Sequence, residues 1–447
     1  MDTIEIEPYM VEAAHSFGDR VRQAYDDPRS HIFYDDAKTY FSSMQPHYDI
    51  LIAEPSNPWV SGVSSLFTQE FYKTVNRHLN PDGLFVQWLQ LYETQLPIVA
   101  SVMKAIDNNF SYYTVYVSAQ SDMLVIASRS PIHQTGQRNI FSNVGMQKEL
   151  GRLGIFTSND LDLRMVGTKY SLAPLFASYN VQVNSDYFPI LDTYAPQARF
   201  MASNTNELAM LRLAHLPLIE MLDTNVAELS EKGSGVALIN DMPSPDIRVT
   251  YRQLALKIRD YYMGKRLSLM DSSPDYPQGI NRDVLLVKLL AKECRMADDW
   301  AQWKPAFMNV MGILVAQLSP TEVDNIWDRL NLDNCSVRLS QNQRRWHTLA
   351  KAVGLRRPDM MIATAEAILK DDDSTLADYD RRYVVNAAAL GYLAMGYKKN
   401  TTELLDRYRQ TVESAESPLD ILTARYFRAH ASTHPATVHI AGGETSE

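Results

Sequence analysis

The chain has 447 residues, 45% of them hydrophobic and 10% aromatic, so it is long enough for two or three globular domains and is not a disordered chain. Its formal net charge of -10 disfavours nucleic acids and anionic membrane surfaces as partners and is compatible with a polycationic substrate. No apolar run approaches the roughly 18 residues of a membrane span, and we expect no signal peptide.

The cysteines and histidines give no sign of a metal site. Cys294 and Cys335 show neither a metal-ligand spacing nor a disulfide framework, so we predict a reducing compartment and a cytoplasmic location. No HExxH or CxxC motif occurs, and we predict no metal ion and no permanently bound cofactor. A G-x-S-x-G elbow and a P-loop are also missing, so hydrolase and NTPase functions have no support.

The first 47 residues alternate short strands and helices. Residues 2–7 read as a strand, 8–22 as a helix with a proline in its first turn, and 31–34 as a second strand. A helical turn is predicted to follow, ending near Met44.

The stretch from residue 48 to 92 organises this half of the chain. Its apolar run at 50–53 predicts a buried parallel strand, which ends at Glu54-Pro55 and a second proline, Pro58. A helix with one apolar stripe follows, then a turn at 80–83 and a second strand at 84–89. Strand, helix and strand form a right-handed crossover, and ligands of open α/β sheets bind at the loop after the first strand.

The following segments complete the predicted sheet. A helix is predicted at 95–109, and strands at 111–117 and 122–128 form an antiparallel pair at the sheet edge. Residues 131–180 read as helices and loops. We therefore predict an α/β domain over residues 1–200.

The chain changes character after residue 205. Helical periodicity dominates to about residue 430, with the first helix predicted at 206–222. Small residues at helix-packing positions between 345 and 409 are typical of paired helices of the tetratricopeptide kind. We predict an all-α domain at 205–430 and a disordered tail at 431–447.

Several long motifs carry a resemblance to a known family. EPSNPW, LFTQEFY and GLFVQW occur in this order after residue 53, and NSDYFPILDTYAPQAR occupies 184–199. Together they resemble the spermidine/spermine synthases, the polyamine aminopropyltransferases, and are most similar to spermidine-synthase-like proteins that are often fused to membrane helices. The resemblance implies a Rossmann-like fold of the class I methyltransferase type.

One part of the family pattern is not found in this sequence. The strand and glycine-rich loop that cradle the donor nucleotide have no counterpart, since no GxGxG pattern occurs before Glu54. We therefore expect an N-terminally incomplete fold that lacks its first strand and binds the donor weakly. Whether the chain is a fragment or naturally truncated, and whether a longer parent is attached to a membrane, is left open.

The resemblance assigns donor contacts to two acidic residues. Glu5 is expected to accept both ribose hydroxyls, and Asp36 to contact the adenine amino group, of decarboxylated S-adenosylmethionine. S-adenosylmethionine itself is the alternative co-substrate. From the residues alone, Glu5 is a surface residue beside a strand and Asp36 a helix cap.

The loop after residue 53 is expected to hold the acceptor. Glu54 matches the family's catalytic carboxylate and is predicted to take the proton of the attacking amine. Asn57 stands where the family has a second aspartate, so it cannot neutralise a cationic amine. Gln87 matches a family glutamine near the site, and Tyr92 is predicted to wall it together with neighbouring tryptophans, although aromatic residues beside a strand are more often core.

These observations favour an aminopropyltransferase acting on a small amine or polyamine. Two alternatives stay open: a catalytically degenerate Rossmann-like scaffold with a helical protein-interaction domain, and an S-adenosylmethionine-dependent methyltransferase. A protein partner of the helical domain and a homodimer are left open as well.

Overall fold

A computed structural model describes residues 1–60, 62–118, 121–132, 138–226, 247–266, 277–371 and 373–432. Residue contacts divide the chain into two compact units. The first unit comprises residues 1–114, 124–133 and 181–204, and the second comprises 115–123, 134–180 and 205–447. The tail that we predicted to be disordered lies, from residue 433 onward, outside the described residues.

The strands form two sheets. Strands β1 and β2 make a two-stranded parallel sheet, and the other five follow the order β3-β4-β6-β5-β7. Their bounds are Asp2–Glu5 (β1), His31–Tyr34 (β2), Tyr48–Ala53 (β3), Leu79–Gln90 (β4), Tyr112–Ser118 (β5), Asp122–Ser128 (β6) and Met165–Thr168 (β7).

The helices are numbered in chain order. They are α1 Pro8–Ala14, α2 Arg22–Asp26, α3 Ala37–Ser43, α4 Gln69–Arg77, α5 Leu96–Asn109, α6 Val144–Arg152, α7 Ser158–Asp162, α8 Lys169–Ala177, α9 Ile190–Phe200, α10 Leu218–Leu222, α11 Ile247–Tyr262, α12 Ile280–Ala291, α13 Trp300–Gln317, α14 Pro320–Arg329, α15 Leu332–Cys335, α16 Gln341–Gly354, α17 Pro358–Asp371, α18 Asp378–Ala394, α19 Lys398–Arg407, α20 Arg409–Glu413 and α21 Pro418–Ser432. Shorter 3-10 turns lie between several of them.

The predicted crossover is present at β3, α4 and β4. The two strands pair in parallel, with Ala53 opposite Gln87, and α4 connects them. Thr68 caps α4 by accepting the Phe71 N–H, and the helix buries its apolar side against α5. This unit places the loop after β3 and the end of β4 side by side, as the sequence predicts.

The turn predicted at residues 80–83 is wrong. These residues lie inside β4, where Tyr48 pairs with Leu79 and Ile50 already pairs with Leu84, so the extra residues bulge from the ladder. A Cβ on Gly83 would lie 3.0 Å from the carbonyl oxygens of Asn80 and Tyr48, which explains the glycine. Turn residues in a sequence therefore also mark a bulge within a strand.

A side-chain cluster joins the first residues of β1, β2 and β3. Asp2 lies 3.0 Å from the His31 ring nitrogen, and the Tyr48 hydroxyl donates to the other carboxylate oxygen at 2.9 Å. These hydrogen bonds, that of His31 first, lower the pKa of Asp2. The cluster thus links the two sheets at the strand ends opposite to Glu5 and to the loop that carries Glu54.

The second unit is mostly helical, and its aromatic core lies between α13 and α14. Trp303 stacks on Phe307 with ring centroids 4.2 Å apart, and Trp327 meets Phe307 edge to face. The consecutive helices α16, α17, α18 and α19 pack against one another in chain order. An α/β sheet followed by a large helical region confirms the predicted fold class.

Three predicted segments differ in the structure. Residues 206–222 are not one helix: two 3-10 turns precede the short α10, which begins only after Pro217, a residue with a non-helical backbone. The region 131–180 contains β7 as well as helices. The chain passes from the first unit to the second at the predicted border near 200–205, but this is not the only such point. Residues 115–123 and 134–180 also belong to the second unit, in which α8 packs on α21.

The two cysteines form a disulfide, so the prediction of no disulfide framework is wrong. Cys294 and Cys335 are 41 residues apart in sequence, yet their Cα atoms lie 5.0 Å apart. Glu293 and Cys294 adopt left-handed backbone angles that turn the chain after α12 back toward α15. The disulfide removes the cysteine-based reason for predicting a reducing compartment. No helix among the described residues is long and apolar enough to cross a membrane.

Candidate functional site

The ends of β1 and β2 hold the two predicted donor residues. Both side chains are partly buried. One carboxylate oxygen of Glu5 accepts the Glu7 N–H at 2.9 Å, and the Glu5 carbonyl accepts the Asp35 N–H at 3.2 Å. Asp36 caps α3 by accepting the Thr39 N–H at 2.9 Å. Asp36 is therefore a helix cap, as the residues alone suggested, and its contact with adenine stays a prediction.

Glu54 follows β3 on a loop of restricted backbone. Its side chain is exposed, whereas Pro58 four residues later is buried. The Val60 N–H donates to the Asn57 carbonyl at 3.0 Å and closes a turn within the loop. Two prolines and this turn limit the backbone conformations of the loop, and the Glu54 side chain faces solvent just after the end of the strand.

Gln87 lies in β4 directly opposite the last residue of β3. It is fully buried, and its amide nitrogen donates to the carbonyls of Ala53, at 3.3 Å, and Trp88, at 2.8 Å. Its side-chain oxygen has no hydrogen-bond partner in the described part of the chain, and neither side-chain atom of the buried Gln90 has one. Buried polar atoms without a hydrogen-bond partner are uncommon. The side chains of Gln87 and Gln90 can therefore form further hydrogen bonds at this end of β4.

Tyr92 and Asn57 are in direct contact. The Tyr92 hydroxyl donates to the side-chain oxygen of Asn57 at 3.1 Å, which ties the loop after β3 to the end of β4. The Trp59 ring lies edge to face against Tyr92, with centroids 6.5 Å apart. Trp59 and Tyr92 are thus in contact, and the role of these rings and of Trp88 as walls of a site stays a prediction.

Two charged residues that sequence reasoning missed complete this group. The guanidinium of Arg199 lies 4.8 Å from the centroid of the Trp59 ring, and its Nε lies 3.7 Å from the Glu93 carboxylate. Arg199 is the last residue of the 184–199 motif, which is recognisable in the sequence. Its contact with Trp59 depends on the fold and has no local sequence signal.

The 184–199 motif forms hydrogen bonds to the segment between Glu54 and α4. The buried Asn184 donates to the Phe67 carbonyl at 2.8 Å and accepts the Leu191 N–H at 3.0 Å. Asp192 accepts the Ser64 hydroxyl at 2.9 Å. The motif therefore acts as a structural brace for the segment between Glu54 and α4.

Asp186 links α3, the helix that Asp36 caps, to α4, the helix that follows the Glu54 loop. Lys38, two residues after Asp36, forms a 2.7 Å ion pair with Asp186, and the Asp186 N–H donates to Glu70 at the start of α4 at 2.9 Å. The contacts thus join Tyr92 to Asn57, and Gln87 to the residue before Glu54, whereas Glu5 and the residue before Asp36 are joined in a second group. No cluster of three or more His, Cys, Asp or Glu side chains suited to a metal occurs among the residues described.

In a comparison with known protein families, residues 1–131 match the sequence model of the spermine/spermidine synthase domain. These residues are therefore similar to that domain. All six predicted site residues lie within the matched residues, whereas the bracing motif and Arg199 lie beyond them.

Curated relatives match a similar part of the chain. A polyamine aminopropyltransferase of Alkaliphilus oremlandii is 29% identical over 24% of this chain and 35% of its own length. Those of a Hydrogenobaculum species and of Clostridium perfringens are 29% and 30% identical, over 26% and 19% of this chain and 41% and 30% of their own lengths. The chain therefore spans well under half of the length of these relatives.

A solved structure also resembles part of the chain. Human methyltransferase-like protein 13, solved in complex with SAH, is 19% identical to it and matches 34% of this chain and 69% of its own, with a TM-score of 0.25.

Proposed function

We propose that the chain transfers an aminopropyl group from decarboxylated S-adenosylmethionine to an amine. The match of residues 1–131 to the synthase domain and the relatives named polyamine aminopropyltransferase support this reaction over methyl transfer and over an inactive scaffold. The observation that carries the proposal is the exposed Glu54 carboxylate on its proline-restricted loop, next to the unsatisfied oxygen of Gln87.

The reaction defines what the acceptor site must supply. A neutral amine nitrogen attacks the aminopropyl carbon bound to the sulfonium, so a carbon–nitrogen bond forms and the carbon–sulfur bond breaks. The electron pair of the broken bond stays on sulfur, which leaves as methylthioadenosine. The nitrogen loses one proton, and Glu54 is the carboxylate that takes it.

The neighbouring residues position the acceptor. The buried Gln87 oxygen is an acceptor without a donor, and in this proposal a water that bridges it to the amine is the partner that it lacks. Asn57 offers a neutral amide whose oxygen already accepts the Tyr92 hydroxyl, so the pocket carries one carboxylate from this loop instead of two. Glu5 and Asp36 bind the nucleoside of the donor in this proposal.

The test is to detect both products. The purified chain is incubated with decarboxylated S-adenosylmethionine and a panel of amines, and methylthioadenosine and the aminopropylated amine are quantified by mass spectrometry. We expect both products in equal amounts, and neither when the amine is omitted. Transfer of a methyl group from S-adenosylmethionine to any of these amines, or no product with any amine, would contradict the proposal.

A further inference from the structure

The charge near the acceptor loop is not purely negative. Arg199 lies over the Trp59 ring at 4.8 Å, two residues from Asn57 along the loop. A guanidinium on an aromatic face is held by the cation–π attraction, and its planar fork of N–H donors remains available at the edge. A positive group is unexpected beside a pocket for a diamine, because it repels a second ammonium.

The position of Arg199 is fixed by the backbone around it. At the end of α9, the Ala202 N–H donates to the Arg199 carbonyl at 2.9 Å, with Ala202 in a left-handed conformation. The chain then pairs with the end of β4: Asn204 bridges Tyr92, and the Thr94 N–H donates to the Ser203 carbonyl at 3.1 Å. The fold thus holds Arg199 against the same loop and strand end that carry Asn57 and Tyr92.

The ion pair of Arg199 leaves it able to bind a ligand. Its side chain is 54% exposed, that of Glu93 is 37% exposed, and the closest approach between them is 3.7 Å. An exposed pair of this length contributes little, and a ligand carboxylate that receives two parallel N–H bonds from the guanidinium can replace it. Glu93 also has a φ of 50°, an uncommon conformation for a glutamate that often marks a functional loop.

We propose that the acceptor is an amine that also carries a carboxylate, such as an ω-amino acid. Arg199 binds the carboxylate, and Glu54 takes the proton of the amine at the other end. The neutral Asn57 fits this substrate, since a single ammonium needs one carboxylate and not two. This inference rests on the proposed aminopropyl transfer: the carboxylate is unchanged, the new carbon–nitrogen bond forms at the amine, and the proton goes to Glu54.

The experiment compares two acceptors of equal carbon chain length, γ-aminobutyrate and putrescine. We expect the kcat/KM of the chain for γ-aminobutyrate to exceed that for putrescine. Arg199→Gln should lower kcat/KM for γ-aminobutyrate about 10- to 100-fold, as expected for losing a hydrogen bond to a charged group. The same variant should raise kcat/KM for putrescine, whose second ammonium the guanidinium repels. Arg199→Lys, which keeps the charge without the fork, should recover part of the loss.

The outcomes separate this inference from the proposed function. Turnover of putrescine but not of γ-aminobutyrate, or an equal loss of kcat/KM for both acceptors in Arg199→Gln, would overturn the carboxylate assignment and leave aminopropyl transfer standing. Failure of every amine overturns both. Calorimetric binding of γ-aminobutyrate to the wild-type chain and to Arg199→Gln gives a second readout, and equal affinities would also overturn the assignment.

Discussion

Charged side chains have different partners in the two units. In the helical unit, Arg212 and Glu220 form a 2.7 Å pair with side chains that are 3% and 12% exposed, and the fully buried Asp223 accepts hydrogen bonds from Thr168 and Ser171. In the first unit, the Glu54 carboxylate at the end of β3 faces solvent. The difference indicates that buried charge serves packing in the helical unit and that strand-end charge in the first unit is available to a ligand.

Apolar side chains are also more exposed in β3 of the first unit than in α13 of the helical unit. Ile50 and Ile52 are 57% and 66% exposed, so the prediction of a buried strand at 50–53 is wrong for these two residues of β3, the edge strand of its sheet. In the helical unit, α13 buries most of its length, including Trp303 and Phe307. We therefore expect substitutions in α13 to change stability with little effect on catalysis, and substitutions in the loop after β3 to do the reverse.

The largest effect on stability is expected from Trp303→Ala. The side chain is fully buried, stacks on Phe307 and donates to the Val287 carbonyl at 3.3 Å. Removing it should cost about 3–5 kcal/mol in urea unfolding, while the folded protein keeps its kcat. The neighbouring Trp300→Ala, at a half-buried position, is the control with a smaller loss. A loss of kcat in folded Trp303→Ala would break the division between the units.

The disulfide should contribute almost as much as Trp303 to the free energy of unfolding. Replacing Cys294 and Cys335 by serine frees a loop of 41 residues, which by loop entropy lowers the free energy of unfolding by up to about 4 kcal/mol. Thermal unfolding with and without reductant measures this for the wild-type chain, and the double variant should not respond to reductant. Two free thiols titrating in the unreduced native protein would show that the bond is not formed.

A smaller effect is expected from Tyr92→Phe. The substitution removes the hydroxyl that donates to Asn57 at 3.1 Å and frees the loop after β3 from the end of β4. A single hydrogen bond of this kind contributes about 0.5–1.5 kcal/mol, so kcat/KM for the amine should fall up to about tenfold. Tyr112→Phe, at an exposed position in β5, is the matched control. An equal effect of the two variants on kcat/KM would remove Tyr92 from the site.

Mild acid should lower the stability by the smallest amount, through a buried histidine of the helical unit. Burial against Trp327 lowers the pKa of His347 to about 4, below its ordinary value of 6.5. Below pH 6.5 the unfolded chain therefore binds a proton that the folded chain does not, so stability falls as the pH drops from 6.5 toward 4. Between pH 7 and pH 6 the loss should stay below about 1 kcal/mol. Unfolding of His347→Gln should depend less on pH; an unchanged dependence would contradict this assignment.

The sequence could predict the parts of the fold that have local signals. The apolar run of β3, the two prolines after it and the amphipathic α4 are local patterns, and they placed Glu54 and Gln87 at adjacent strand ends. β7 is a four-residue strand between helices, too short for periodicity to identify. The disulfide and the contact between Arg199 and Trp59 join residues far apart in the chain, so only the folded structure brings them together.

The most direct test of the central claim is the turnover of Glu54→Gln. This substitution keeps the shape of the side chain and removes its ability to take a proton, so kcat for aminopropyl transfer should fall about 10²–10⁴-fold. Glu12→Gln, at an exposed position in α1, should keep wild-type turnover, and both variants should unfold like the wild-type chain. Wild-type turnover in Glu54→Gln would show that this carboxylate does not take the amine proton.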